Sequence, residues 1–404
     1  TLYHLIFVVK IKIIMKVCII GNGLTSLSLA KTLTNQGLKV DLLSNNLTNF
    51  YDKSQTLGIS KNNIDFFNAN IINIAHLLWN INKIEIYSEN FNNEKILNFE
   101  NEKKKLFSII KNHELFDYLL SDLKKTKFFK FKKNLNENKF YSNYDLIINS
   151  DSKHKITKKF FSNKLNKDYN SYGHITIIKH NKLISNDTAV QIFTKNGPIA
   201  FLPISQTETS IVFSARKKKN IDKNDLINFT NNNLKKYKIK KIENLKTFEL
   251  KSNDLRIYHY KNILAFGDLL HKIHPLAGQG FNMTIRDIKV LVELINSHID
   301  LGIQLDSSIC LNFEKRTKSS NYLFSKSIDF IYEFFNFESK TNTALMSKSV
   351  QLLGKNKSIK KIFHFARADL TFTSRRLVRQ RCRTSCAASR RRRKRALAAG
   401  CLRP

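Results

Sequence analysis

The stretch MKVCIIGNGLTSLSLAKTLTNQGLKVDLLS, from Met15 to Ser44, narrows the fold more than any other part of the chain. KVCII is a short apolar run suited to a strand buried in a parallel sheet. Gly21 and Gly23 follow at once. Apolar residues then recur at helical spacing through Leu27, Ala30 and Leu33, and the pattern stops at Gly37. LKVDLL supplies a second strand. The spacing predicts a βαβ unit with glycines at its first turn, where backbone N–H groups and a helix N-terminus could meet a pyrophosphate. A buried strand–turn–helix without nucleotide reads the same way. Ser26 holds the third glycine position, and its small size keeps close helix–strand packing open. Ser44 stands where an acidic ribose partner is expected; Asp41, three residues earlier, should face the other way.

Further along, Ser60 opens a helix with Phe66 and Phe67 on its buried side, and KIEIYSENF (Lys83–Phe91) alternates like a strand. Glu100–Lys125 reads as one amphipathic helix, with Leu106, Ile109, Ile110, Leu115, Leu119 and Leu120 apolar. YDLIINSDS (Tyr144–Ser152) is another buried strand. From about Lys167 to Lys251 the texture turns to alternating strands, with Gly197-Pro198 as a turn, and suggests a mostly antiparallel sheet. The block Phe313–Ala368 is helical and aromatic-rich, and no internal repeat is evident.

GDLLHKIHPLAGQGFNMTIRD (Gly267–Asp287) gathers special residues in a chain otherwise rich in Lys, Asn, Ile and Phe. It reads as strand, Gly267-Asp268 turn, loop and helix. Asp268 at a strand's carboxyl end is where α/β sheets place ligand-contacting groups, although Asp is also a common turn residue. Gly278 and Gly280 permit close approach of a flat ligand, and the helix after them aims free N–H groups forward. His274 could act as an acid/base group or, being followed by Pro275, could shape the loop.

These residues, with GPIAFLP at Gly197–Pro203, resemble the FAD-dependent aromatic hydroxylases, and among them the ubiquinone-biosynthesis hydroxylase group. The resemblance covers roughly residues 15–370 in order. It implies an α/β fold: a Rossmann-like FAD-binding domain, an inserted mostly antiparallel β-sheet substrate domain and a helical C-terminal part. Segments 15–75, 101–164 and 255–370 would form the FAD domain; 76–100 and 165–254 would form the substrate domain. Gly21, Gly23 and Ser26 would face the diphosphate, and Asp268, beside Gly267, would hold the ribityl chain. Gly278, Gln279, Gly280 and Asn282 would lie along the isoalloxazine. Asp151 would match the Asp of a middle motif, Pro203 would lie near substrate, and His274 and Pro275 are the candidates for the chemical centre. Ser44, Gln55 or Ser54, Ser152 and Thr284 depart from the family's usual acid, Arg, Gly and Gly. The implied activity is hydroxylation of a polyprenylated phenol with NAD(P)H and O2 through a flavin hydroperoxide. The alternatives are an isoprenoid-chain reductase and a degenerate, non-catalytic FAD-fold protein.

Charge and cysteine usage limit the other classes. The net charge is +37, of which residues 374–404 carry twelve Lys plus Arg and no acid, leaving +25 for the body. Residue usage also switches there to Arg, Ala, Ser and Cys, as a tail that is disordered or foreign to the domain would. Such a tail could bind nucleic acid, but no recognisable nucleic-acid module is present and no specific nucleic acid is expected. Residues 1–14 read as upstream of a start at Met15. Only Cys18 and Cys310 lie in the body, which argues for a reducing, cytoplasmic setting. No segment has the length of a membrane span, and no metal ligands are expected. Docking on the inner face of a membrane, or on partner enzymes, stays open through the aromatic run Ser327–Phe337.

Overall fold

The structure is a computed structural model. It describes residues 15–89, 94–100, 105–133, 143–218, 220–274, 278–341, 347–348 and 351. Pro275, residues 1–14, the end of the helical block and the basic tail lie outside the described residues.

The elements run β1 (Lys16–Ile20), α1 (Leu24–Asn35), β2 (Lys39–Leu43), β3 (Thr56–Ser60), α2 (Lys61–Asn70), β4 (Trp79–Ile81), β5 (Lys83–Ser88) and β6 (Lys95–Glu100). Then come β7 (Phe107–Lys111), α3 (Asn112–Leu123), β8 (Phe129–Lys132), β9 (Leu146–Asn149), α4 (Lys155–Phe160), β10 (Lys164–His180), β11 (Thr188–Thr194), β12 (Gly197–Pro203) and β13 (Glu208–Arg216). The remainder is α5 (Lys223–Asn233), β14 (Ile239–Ile242), β15 (Lys246–Leu255), β16 (His259–Tyr260), β17 (Ile263–Ala265), β18 (His271–Lys272), α6 (Gly280–Asp300) and α7 (Ser307–Thr341).

The first sheet has the order β16-β17-β9-β1-β2-β8 and is parallel from β17 to β8. Its central strands are continuous apolar runs because both faces are covered: Val17, Cys18, Ile19, Leu146, Ile147 and Ile148 are all fully buried. Leu27, Ala30 and Leu33 of α1 pack into the same core, together with Ile285, Ile288 and Leu291 of α6. A second sheet runs β18-β15-β10-β13-β12-β11-β5-β6, with β14 also on β10. Its pairings are antiparallel apart from β11 with β5. Both sheets are in place as the α/β reading with an inserted antiparallel layer requires.

A third, three-stranded sheet, β3-β7-β4, was not anticipated. The single helix expected over Glu100–Lys125 is corrected by it. Phe107–Lys111 is a strand, and the helix occupies only Asn112–Leu123. Ile109 and Ile110 fit helical spacing, but a short apolar run with two β-branched residues fits a central strand equally well. Here β3 and β4 flank it on both edges, and that tertiary pairing decides.

At the β11–β12 hairpin Gly197 has φ +127°, and a Cβ there would lie 1.9 Å from the Ser214 carbonyl oxygen. Backbone cannot yield as a side-chain tip can. Gly197→Ala is therefore expected to cost roughly 1–3 kcal/mol or more. It should lower the urea midpoint with an unchanged slope; a parental midpoint would contradict this reading.

Candidate active site

At the carboxyl ends of β1, β9 and β17 lies a cleft of about 670 Å³. Gly21, Gly23, Gln55, Asp151, Asp268 and Gly278 all line it, as does Gly280. Residues far apart in sequence thus meet at one groove.

The first glycine turn forms because β1 must pass tightly into α1. Gly21 has φ +121°, and a Cβ there would come within 2.6 Å of the Ser150 hydroxyl and 2.9 Å of that of Ser26. Ser26 is fully buried, and its hydroxyl pairs with that of Ser150 at 2.6 Å. It therefore ties α1 to the end of β9 instead of facing the cleft, which corrects its expected place at a diphosphate. Ser44 also misses the cleft lining: its N–H donates to the Lys132 carbonyl at the end of β2. The polar contact near that strand end is Asn22 Nδ2 donating to Asn46 Oδ1 at 2.9 Å. Asp41 faces away, as expected, and accepts from Tyr144 at 2.7 Å and Lys132 at 2.9 Å.

Tyr51 was not singled out in the sequence. Its hydroxyl accepts the Leu24 N–H at 3.1 Å and sits over Gly23. Burial pushes its pKa up, the Leu24 hydrogen bond opposes this, and the charge of Asp268 adds to the rise. No local pattern announces such a partner twenty-seven residues away.

Gly267, at φ +63°, has no room for a side chain, since a Cβ would meet Thr25 at 2.8 Å. Asp268 follows, open to the cleft but walled in by protein on its other sides. That enclosure pushes its carboxyl up, against the pull of His271 and Lys272. Across the cleft, Gly278 at φ +64° brings its backbone against β3; a Cβ would lie 3.2 Å from the Gly58 nitrogen.

Gln279 and Asn282 lie off the cleft and line a smaller inner pocket of about 50 Å³, which shares Gly58, Ala200 and Leu202 with the cleft. Asn282 is 4% exposed; its Nδ2 donates to the Gly58 carbonyl at 2.7 Å and its Oδ1 accepts from the Ser60 N–H at 2.9 Å and Asn63 Nδ2 at 2.8 Å. The pocket walls are largely apolar, with Ile84, Phe99, Leu106 and Phe107 among them. Pro203 is buried at the end of β12 and lines neither cavity. Alternation along the strand turns Ala200 and Leu202 to the cavities instead.

His274 is not brought to the cleft. It is 1% exposed, edge-on to Tyr169 at 4.8 Å and 4.4 Å from the Tyr332 ring. Both ring nitrogens lack a partner among the described residues. Burial pushes its pKa down to about 3, so it is neutral and sealed away, in a packing role rather than an acid/base one. The histidine that carries a carboxylate partner is its neighbour. His271 Nε2 bonds Asp287 Oδ2 at 2.6 Å, and Asp287 Oδ1 accepts from Asn321 at 3.0 Å.

A family model described as squalene epoxidase matches residues 145–355, which is 211 of the chain's 404 residues. The chain belongs to the squalene epoxidase family. Relatives of this family member include the ubiquinone biosynthesis monooxygenase COQ6 of Schizosaccharomyces pombe, a mitochondrial protein, at 21% identity over 262 residues, covering 53% of this chain and 55% of that one. The 3-demethoxyubiquinol 3-hydroxylase of Escherichia coli is 26% identical over 157 residues, covering 37% and 40%. COQ6 of Dictyostelium discoideum is 28% identical over 117 residues, covering 29% and 24%. The chain thus spans from a quarter to just over half of these relatives' length. PqsL of Pseudomonas aeruginosa, a probable FAD-dependent monooxygenase, superposes with a TM-score of 0.63 at 13% identity, covering 83% of this chain and 99% of that one. Klebsiella pneumoniae HpxO, solved with FAD and uric acid, gives 0.64 at 12% identity, covering 84% and 93%. The fold is that of the FAD-dependent monooxygenases, as the sequence resemblance implied.

The His271–Asp287 pair gives this squalene epoxidase family member a pH signature. Burial alone would lower the His271 pKa, but the Asp287 carboxylate and its hydrogen bond outweigh it and hold the value up. A raised folded value stabilises fully below the unfolded value of about 6.5 and is lost as pH rises through the folded one. Asp287→Asn should cost about 3–5 kcal/mol at pH 6, and the gap to wild type should shrink on going to pH 9. Urea denaturation at both pH values reads this; a gap that widens at high pH would refute it.

Proposed function

We propose that the chain is a FAD-dependent monooxygenase that hydroxylates the aromatic ring of a polyprenylated phenol in ubiquinone biosynthesis, with NAD(P)H as donor and O2. The observation that carries this reading is a glycine-lined cleft opening into an apolar pocket beneath the second sheet. Clefts of about 300–1,000 Å³ suit cofactor-sized ligands. The residues present fit FAD: Gly21 and Gly278 form cradles that a Cβ would fill, and Asp268 offers an acceptor between them. FAD, when bound, supplies the redox chemistry that brings O2 and ring together.

The chain's own residues position and shield. Gly21 and Gly23 would let the start of α1 approach the diphosphate, with the helix dipole favouring its charge. Asp268 would accept hydrogen bonds from the ribityl hydroxyls. The first turn of α6, entered through Gly278 and Gly280, would present N–H groups to negative charge on the ring. Lys153, Lys251 and Lys272 line the cleft and would draw in an anionic nicotinamide dinucleotide. The apolar pocket, at about 50 Å³, would take the edge of the substrate ring and keep water out, with the rest of the ring toward the cleft at Ala200 and Leu202.

No helix among the described residues is long and apolar enough to cross a membrane. A polyprenylated substrate is membrane-borne, and α7 offers a docking face. Ile328, Tyr332 and Phe335 are buried, while Phe330 and Phe337, seven residues apart, are 67% and 55% exposed.

The absorption spectrum of protein supplied with FAD is the test. Wild type should retain flavin bands, and NAD(P)H should bleach them faster when a prenylated phenol is present. Asp268→Ala should weaken FAD binding about tenfold to a hundredfold. Wild-type protein that stays colourless would end the enzyme reading.

A further inference from the structure

Gln191 is a polar side chain in an apolar place. It sits on β11, opposite Ala200 of β12 and Ile86 of β5. It is 6% exposed and lines the inner pocket. Among the described residues its amide has no hydrogen-bond partner. The flanking strand residues Ile192 and Val190 are buried and apolar, so the position is otherwise built for packing. The amide opens onto the pocket, and a ligand that displaces water there without offering it a partner is penalised for leaving it unpaired.

Of the other polar groups at this pocket, Asn282 is committed to the frame, Ser60 is shut off from solvent and Gln279 makes no side-chain cap bond at the start of α6. Asn282 spends its amide on Gly58, Ser60 and Asn63. Ser60, at the N-cap of α2, makes no side-chain cap bond, and its hydroxyl is shut off from solvent without a partner. Gln279 belongs to the glycine turn that the cofactor reading already uses.

We propose that Gln191 selects substrate by hydrogen-bonding an oxygen substituent, a phenolic hydroxyl or quinone carbonyl, on the ring edge that enters the inner pocket. This rests on the hydroxylase reading and adds a determinant to it. A carboxamide can donate to a carbonyl or accept from a hydroxyl, so it serves both oxidation states of the ring. Discrimination arises because a bare arene would leave the amide buried and unpaired, whereas the oxygenated ring satisfies it. Gln191 is thus a specificity group that touches substrate without taking part in redox chemistry.

The test measures binding rather than turnover. The full chain, supplied with FAD, is titrated calorimetrically with a 2-prenylphenol and with the matching prenylbenzene lacking the hydroxyl. Wild type should prefer the phenol by about tenfold or more. Gln191→Leu should erase that preference by weakening the phenol and sparing the prenylbenzene, with flavin retention and melting temperature unchanged. Gln191→Met, closer in shape, gives the same readout if leucine perturbs folding. Ser60→Ala should leave the preference intact. A phenol preference that survives both Gln191 variants, or that is lost in Ser60→Ala alone, overturns the assignment and leaves the hydroxylase reading standing. Wild-type protein that binds neither compound overturns both.

Discussion

The Asn282 amide joins the start of α6 to β3 and α2 through the Gly58 carbonyl, the Ser60 N–H and Asn63. All three partners lie more than two hundred residues earlier in the chain. By holding these backbones together, one side chain fixes where cleft and inner pocket meet, since Gly58 belongs to both linings. At the same junction Gly278 has little room for a side chain, since a Cβ there would lie 3.2 Å from the Gly58 nitrogen. Positions usually discussed as touching a ligand can instead be the frame that makes the ligand's space.

Electrostatics divides the two buried histidines of the same segment into different tasks. His271 is bonded to Asp287, which holds its pKa up and fastens β18 to α6. His274, three residues on, packs against the Tyr169 and Tyr332 rings, and burial, with Lys167 adding to it, pushes its pKa down. Burial works against the charge in both places; what differs is whether a carboxylate is hydrogen-bonded to it.

Much of this was legible before any coordinates. β1, α1, β2 and α6 follow from continuous apolar runs, helical spacing and glycines at the turns, all local signals. Gly21, Gly23, Asp268, Gly278 and Gly280 meet at one cleft because strand ends in parallel sheets converge. What failed depended on partners elsewhere. Ser26 has a small side chain in a glycine position, and only the proximity of Ser150 turned its hydroxyl away from the cleft. Tyr51, β3 and β7 are defined by contacts with Leu24 and with each other, and none has a distinctive pattern. His274 looked reactive because it stands beside a motif; Tyr169 and Tyr332 enclose it.

The parallel pairing of β5 with β11 sets Lys83 against Thr188, 105 positions apart. During synthesis at about 5–20 residues per second, β5 would therefore wait roughly 5–20 s for its neighbour. Its hairpin partner β6 covers one edge meanwhile, but the other stays bare. Pairings this distant make the second sheet slow to close, and an unpaired edge invites association with other chains. Production of this protein is thus a race between chain elongation and aggregation, and slower growth temperature or chaperone supply acts on that race rather than on the stability of the finished fold.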